Sequence, residues 1–109
     1  MSKSLDFNTL KKQTLAITLP DKKQTKLFIT TPNNKTFEKF VEIRNALTDE
    51  NNESIIDDLY DMVGEIMSHN KAGKKITGKY LSDVLDFEDL IIFIQAYTDF
   101  ISGITNSKN

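Results

Sequence analysis

The chain of 109 residues has no cysteine, no tryptophan, one histidine, two prolines and four glycines. Without cysteine there can be no disulfide, no thiolate metal ligand and no thiol nucleophile. The lone His69 excludes a metal centre built from several imidazoles. Arg44 is the single arginine, which leaves little for the bidentate contacts that read phosphates and base edges. Long apolar runs are missing too. The opening MSKSLDFNTLKKQ lacks the core of a signal peptide, and no segment has the length of a membrane span. A cytoplasmic protein is expected.

The length fits one domain, and 39% hydrophobic with 28% charged residues fits a soluble globular chain. Net charge is only −2, but its distribution is uneven. Residues 1–44 hold nine Lys/Arg against four acids, and residues 45–109 hold five against twelve. Seven of those acids lie between Asn45 and Asn70, with no Lys or Arg among them. Charge separation of this kind bears on association more than on fold.

Hydrophobic periodicity divides the chain. TLAITL alternates Leu15, Ile17 and Leu19 against Thr14, Ala16 and Thr18, the period of a half-buried strand. PDKKQ supplies a turn and TKLFIT a second strand, which together predict a β-hairpin over 14–30. From Thr36 the period becomes helical, with Phe37, Phe40, Val41 and Leu47 on one face. After DENNE, with Asn52 or Ser54 as cap, Ile55, Ile56, Leu59, Val63, Ile66 and Met67 mark a second helix. Asn70 and Gly73 are its stop signals. A short amphipathic stretch then carries Tyr80, Leu81, Val84 and Leu85. Asp86 caps the last helix, whose first turn holds Glu88 and Asp89. That helix is apolar on two sets of positions. Phe87, Leu90, Ile91, Ile94 and Ile101 form one, and Ile92, Phe93, Ala96, Phe100 and Ile104 the other. The reading is an α+β, mainly α domain over 14–104, a hairpin followed by about four helices in a small bundle. Residues 1–13 are expected to be a flexible lead and 105–109 a disordered tail.

Four motifs invite chemistry. GKKITGKY, Gly73 to Tyr80, reads G-x-x-x-x-G-K but places Tyr80 where a P-loop needs a magnesium-binding Ser or Thr. A P-loop also needs a buried strand before it, and GEIMSHNKA reads as the end of a helix. The stretch is expected to be a basic connection, anchored beyond its turn by Ile76, Tyr80 and Leu81. DENNESIIDDLYD has the composition of a calcium loop, with Asp49, Asn51 and Glu53 alternating. It lacks the turn glycine, and Ile55 and Ile56 interrupt it. His69, with Asp57, Asp58 or Asp61 to orient it, would be a base without an activated nucleophile. Near a helix C-terminus a histidine suits the dipole and the last carbonyls. The lysines at 22, 23, 26 and at 71, 74, 75, 79 are candidates for phosphate contacts, set against a pI near 5.3. No catalytic, metal or nucleotide residue and no cofactor is expected.

The order of elements carries more than any motif. A Thr/Leu hairpin leads into TPNNKTFEKFVEIRNAL, an acidic helix, a Lys-rich loop and finally ITGKYLSDVLDFEDLIIFIQAYTDFISGI. Over residues 14–104 this resembles the small tail assembly chaperones of long-tailed phages that infect Gram-positive hosts. The resemblance implies a non-enzymatic protein of the infected cell's cytoplasm, absent from the finished virion. Its implied partners are the tape measure protein, whose apolar helices it keeps soluble, and the major tail protein. Many such chaperones are also made in a longer, frameshifted form. The family has no fixed catalytic set to carry over.

From the residues themselves, the surplus apolar surface of the last helix is expected to serve partner binding or self-association through Phe93, Tyr97, Phe100 and Ile104. The lysines Lys71, Lys74, Lys75 and Lys79 form the basic patch between two acidic segments, suited to the acidic face of a neighbouring subunit. The alternative is a small adaptor or regulatory module contacting nucleic acid through its Lys-rich turns. A small hydrolase or nucleotide-binding enzyme using Gly73–Lys79 and His69 is the third possibility.

Overall fold

Strand alternation places every second residue of the hairpin against the helices. In the computed structural model, which describes residues 5–7, 12–46 and 55–105, β1 (Leu15–Thr18) pairs antiparallel with β2 (Lys26–Ile29). Leu15 faces Ile29 and Ile17 faces Leu27, so the register sets the apolar side chains opposite one another. Leu19, Leu27 and Ile29 are buried. The free edge of β2 is covered by the chain leaving the second helix. Ile29 bridges Asn70, Thr30 N–H donates to the His69 carbonyl at 2.8 Å, and Lys71 N–H donates to Phe28 at 3.1 Å.

Helix α1 spans Asn34–Ala46, starting two residues before the apolar period does. The Asn33 side chain accounts for this, accepting the Thr36 N–H at 2.8 Å in the manner of an N-cap. Helix α2, Ile55–Ser68, buries Leu59, Met62, Val63, Ile66 and Met67 on one face and turns Asp57, Asp58 and Asp61 to solvent. It packs against β2 and all three other helices and is the centre of the domain. Helix α3, Gly78–Val84, is capped by Thr77, whose hydroxyl accepts the Tyr80 N–H at 3.1 Å.

Helix α4, Phe87–Thr105, begins with a reciprocal cap. Asp86 accepts the Asp89 N–H at 2.8 Å, and Asp89 accepts the Asp86 N–H at 3.0 Å. Tyr60 ties α2 to the α3–α4 junction, donating to the Leu85 carbonyl at 2.7 Å.

The hairpin followed by four helices is the architecture read from the periodicity. Residues 1–4 and 8–11 of the expected flexible lead, Leu47, the acidic stretch with Asp49, Asn51 and Glu53, the caps Asn52 and Ser54, and residues 106–109 lie outside the described residues. Thr105, assigned to the tail from the sequence, is the last residue of α4.

Candidate functional site

Two surfaces emerge from this framework, one basic and one apolar. The basic one begins at the hairpin tip. Asp21 accepts the Thr25 N–H at 2.8 Å and the Thr25 hydroxyl at 2.6 Å, which closes the turn around Gln24 at φ 49°. The Tyr80 hydroxyl donates to the same carboxylate at 2.6 Å. The tip of the hairpin is thereby tied to α3, 59 residues later in sequence.

The Thr25 hydroxyl, then Tyr80 and the Thr25 N–H, hold the Asp21 carboxyl down at about 2, while the carboxylate pushes the Tyr80 phenol up. The lowered value means that Asp21 adds stability above its ordinary titration range near 4, and that this is lost as pH falls toward 2. Asp21→Asn should therefore melt below wild type at pH about 5, and the gap should narrow by pH about 2. Thermal melts of both proteins across that range check it. A gap that stays constant would mean the carboxylate contributes nothing through its charge.

Between tip and α3 runs the Gly73–Tyr80 stretch, and its hydrogen bonds decide how it can be used. Gly73 sits at φ 70°, the left-handed turn the helix exit requires. Lys74 N–H donates to the Asn70 side chain at 3.0 Å, and Ile76 N–H to the Ser68 hydroxyl at 2.8 Å. These N–H groups are engaged within the chain and do not point into a phosphate cradle. Gly78 serves close packing instead, since a Cβ there would lie 2.9 Å from the Asp61 backbone. Ile76 and Leu81 are buried, and Tyr80 anchors the stretch through Asp21.

The fold brings the two lysine clusters together. Lys22 and Lys23 from the hairpin and Lys74 and Lys75 from the α2–α3 connection line one cleft of about 720 Å³. Ile76 and Val84 form part of its apolar lining, and Asp21 and Asp83 stand in its walls. Lys71 and Lys79 are exposed but do not line it. Sequence reasoning singled out both lysine clusters for phosphate contacts but kept them apart, assigning only Lys71, Lys74, Lys75 and Lys79 to the contact loop. The missing link is a tertiary contact, the Tyr80–Asp21 hydrogen bond that brings the PDKKQ turn to α3.

The apolar surface requires a correction. Phe93 and Tyr97 are 7% and 1% exposed and belong to the core. The buried stripe of α4 runs through Leu90, Phe93, Ile94 and Tyr97, cutting across both apolar sets read from the sequence. The reason is aromatic packing against α1 and along α4. Tyr97 stands edge-on to Phe40 at 5.1 Å between centroids and stacks on Phe93 at 5.7 Å. Burial pushes the Tyr97 phenol well above its ordinary range.

Phe100 and Ile104 are half-buried. Ile104 lines an apolar groove of about 380 Å³ with Ile101, Phe37, Thr31 and Pro32. The solvent-facing surplus of α4 consists of Phe87 and Ile92, at 46% and 57% exposure.

His69 contributes its carbonyl, which accepts the Thr30 N–H and hydroxyl. Asp61 lies about 10 Å along the helix from Ser68, too far to orient the imidazole that follows. Among the described residues no group of His, Cys, Asp and Glu is placed to hold a metal ion, and no helix is long and apolar enough to cross a membrane. Comparison with protein-family models, curated proteins and solved structures returns no match.

Proposed function

We propose that this protein acts by binding, as a tail assembly chaperone that holds apolar helices of a tape measure protein in solution while the tail tube assembles. The observation that carries the reading is the groove between the start of α1 and the end of α4. Phe37, Ile101 and Ile104 present an open apolar surface there, flanked by the polar Asn33 and Asn34. A groove of this kind suits the apolar stripe of a partner helix, whose anchors recur at helical spacing. Ile92 and Phe87 extend the apolar surface of α4 beyond what its own core uses. The order of hairpin, helix, acidic helix, basic connection and apolar closing helix supports the same assignment. The place of action is then the cytoplasm of the infected cell, with the major tail protein as a second partner.

The test is a pull-down of a tape measure protein with wild type and with Phe37→Asp/Ile104→Asp. Both positions are partly exposed, so the double variant should keep its circular dichroism spectrum and lose most of the captured partner. Equal capture by the folded double variant would remove the groove from the account.

The convergence of Lys22, Lys23, Lys74 and Lys75 favours a second reading, an adaptor that contacts nucleic acid through this cleft. It requires binding to DNA or RNA that weakens steeply with salt.

A further inference from the structure

The lining of the basic cleft holds an acid that a site for phosphate alone would not want. Among the described residues, none of Lys22, Lys23, Lys74 and Lys75 makes an ion pair. Asp83 stands in the lining with them, exposed, and its carboxylate pairs with none of them. It would repel a phosphate brought to those lysines. Asp21 differs, because its carboxylate is already taken by Thr25 and Tyr80.

We propose, resting on the nucleic-acid reading of this cleft, that it takes a single strand rather than a duplex, with an amino-bearing base against α3 and the flanking phosphates on the lysines.

The face of α3 is built for a base. Tyr80, Asp83 and Val84 follow i, i+3, i+4 spacing, so they share the side of the helix that lines the cleft. Tyr80 offers a ring held in place by its hydroxyl, which donates to Asp21 at 2.6 Å, and a held ring is a surface for stacking. Val84 and Ile76 add apolar contact. Asp83 supplies an acceptor for the exocyclic amine of cytosine, adenine or guanine. Thymine and uracil carry no such amine. Base faces are open to a protein ring in a single strand, whereas a duplex stacks them on their neighbours.

The lysines answer the rest of the ligand. Lys22 and Lys23 come from the hairpin tip, and Lys74 and Lys75 from the α2–α3 connection, so phosphates on the two sides of the base have separate partners. The cleft of about 720 Å³ falls within the roughly 300–1,000 Å³ of sites that enclose a small ligand. That admits a nucleotide with its flanking phosphates, not the width of a double helix.

The experiment is fluorescence anisotropy of the full chain with short labelled oligodeoxycytidine, oligodeoxythymidine and a mixed-sequence duplex, over a series of salt concentrations. Wild type is expected to bind the cytidine strand, with log affinity falling against log salt by about 0.7 per phosphate contacted. The thymidine strand should bind about tenfold more weakly, and the duplex should bind more weakly than the cytidine strand. Asp83→Ala separates the alternatives most sharply. If the carboxylate only repels phosphate, the variant binds the cytidine strand more tightly. If it accepts the amine, the variant binds that strand about tenfold more weakly, level with the thymidine strand. Lys74→Gln/Lys75→Gln should weaken binding of both strands and flatten the salt slope by about 1.4, two contacts at about 0.7 each. Tyr80→Leu should bind about tenfold more weakly than Tyr80→Phe. Both lack the hydrogen bond to Asp21, so the comparison isolates the ring.

A wild type that binds neither strand nor duplex at low salt removes the nucleic-acid reading and the proposal together. Equal binding of duplex and single strand leaves that reading in place and overturns the proposal. Tighter binding of the cytidine strand by folded Asp83→Ala overturns it, as does equal binding by Tyr80→Leu and Tyr80→Phe. Displacement of the strand by cytidine triphosphate or polyglutamate at equal charge would assign the cleft to a free nucleotide or an acidic chain instead. None of these measurements uses a tape measure protein, so the groove reading stands or falls separately.

Discussion

Tyr97→Ala should destabilise the domain by about 3–5 kcal/mol, the range for truncating a buried aromatic and leaving part of its cavity unfilled. Tyr97 is 1% exposed, and its ring meets three others: Phe40 edge-on, Phe93 stacked, and Phe100 tilted at 6.3 Å. Removing it takes the central ring from the α1–α4 contact. For a small domain whose whole stability is about 5–15 kcal/mol, this would bring the chain near unfolding at room temperature. Urea titration followed by circular dichroism measures the loss. The result separates two roles for the residue. A binding anchor on the surface would give an alanine variant with unchanged midpoint and impaired partner capture. A core residue gives the reverse order, with stability lost first and capture only as a consequence.

The second large effect sets helix propensity against packing at Gly64. Glycine inside a helix costs up to about 1 kcal/mol relative to alanine, so Gly64→Ala would stabilise an isolated α2. In the folded chain a Cβ at Gly64 would stand 2.8 Å from Gly78 N and 3.0 Å from the Ile76 carbonyl oxygen. These are backbone atoms of the α2–α3 connection and cannot rotate away. The overpacking should dominate, with a net loss of about 1–3 kcal/mol and a larger one for Gly64→Val. Gly103 is the internal control, because a Cβ added there meets nothing within 4 Å. Gly103→Ala should be neutral or stabilising by up to about 1 kcal/mol, with the gain reduced near the helix end. Equilibrium unfolding of the two alanine variants should thus move in opposite directions. A stabilising Gly64→Ala would mean that α3 does not sit against α2 as described.

These two positions also show what the sequence could and could not reveal. The hairpin was legible because Leu15, Ile17 and Leu19 alternate strictly, and strand pairing turns alternation directly into a buried face. The start of α4 was legible because Asp86 and Asp89 form a local cap, which depends on neighbours three residues apart. The buried stripe of α4 was not, because apolar residues surround the helix and periodicity alone cannot rank them. Tertiary contacts chose among them, with Phe40 meeting Tyr97, Tyr97 stacking on Phe93, and Ile92 left outside.

The cleft was half legible for the same reason. Lys74 and Lys75 are neighbours in the chain. Lys22 and Lys23 join them through contacts distant in sequence, the Ile29–Asn70 bridge and the Asp21–Tyr80 hydrogen bond across 59 residues. Gly64 carries no local signal at all, since the reason for a missing side chain lies on the segment packed against it.

The central claim is that the protein works by covering apolar helices of a partner. Co-expression of a tape measure protein with and without this chain tests it most directly, by comparing the partner's soluble fraction. The account predicts that the partner moves from the pellet to the supernatant and co-elutes with this chain on size exclusion. A tape measure protein equally insoluble in both cases, or soluble in both without co-elution, would contradict it.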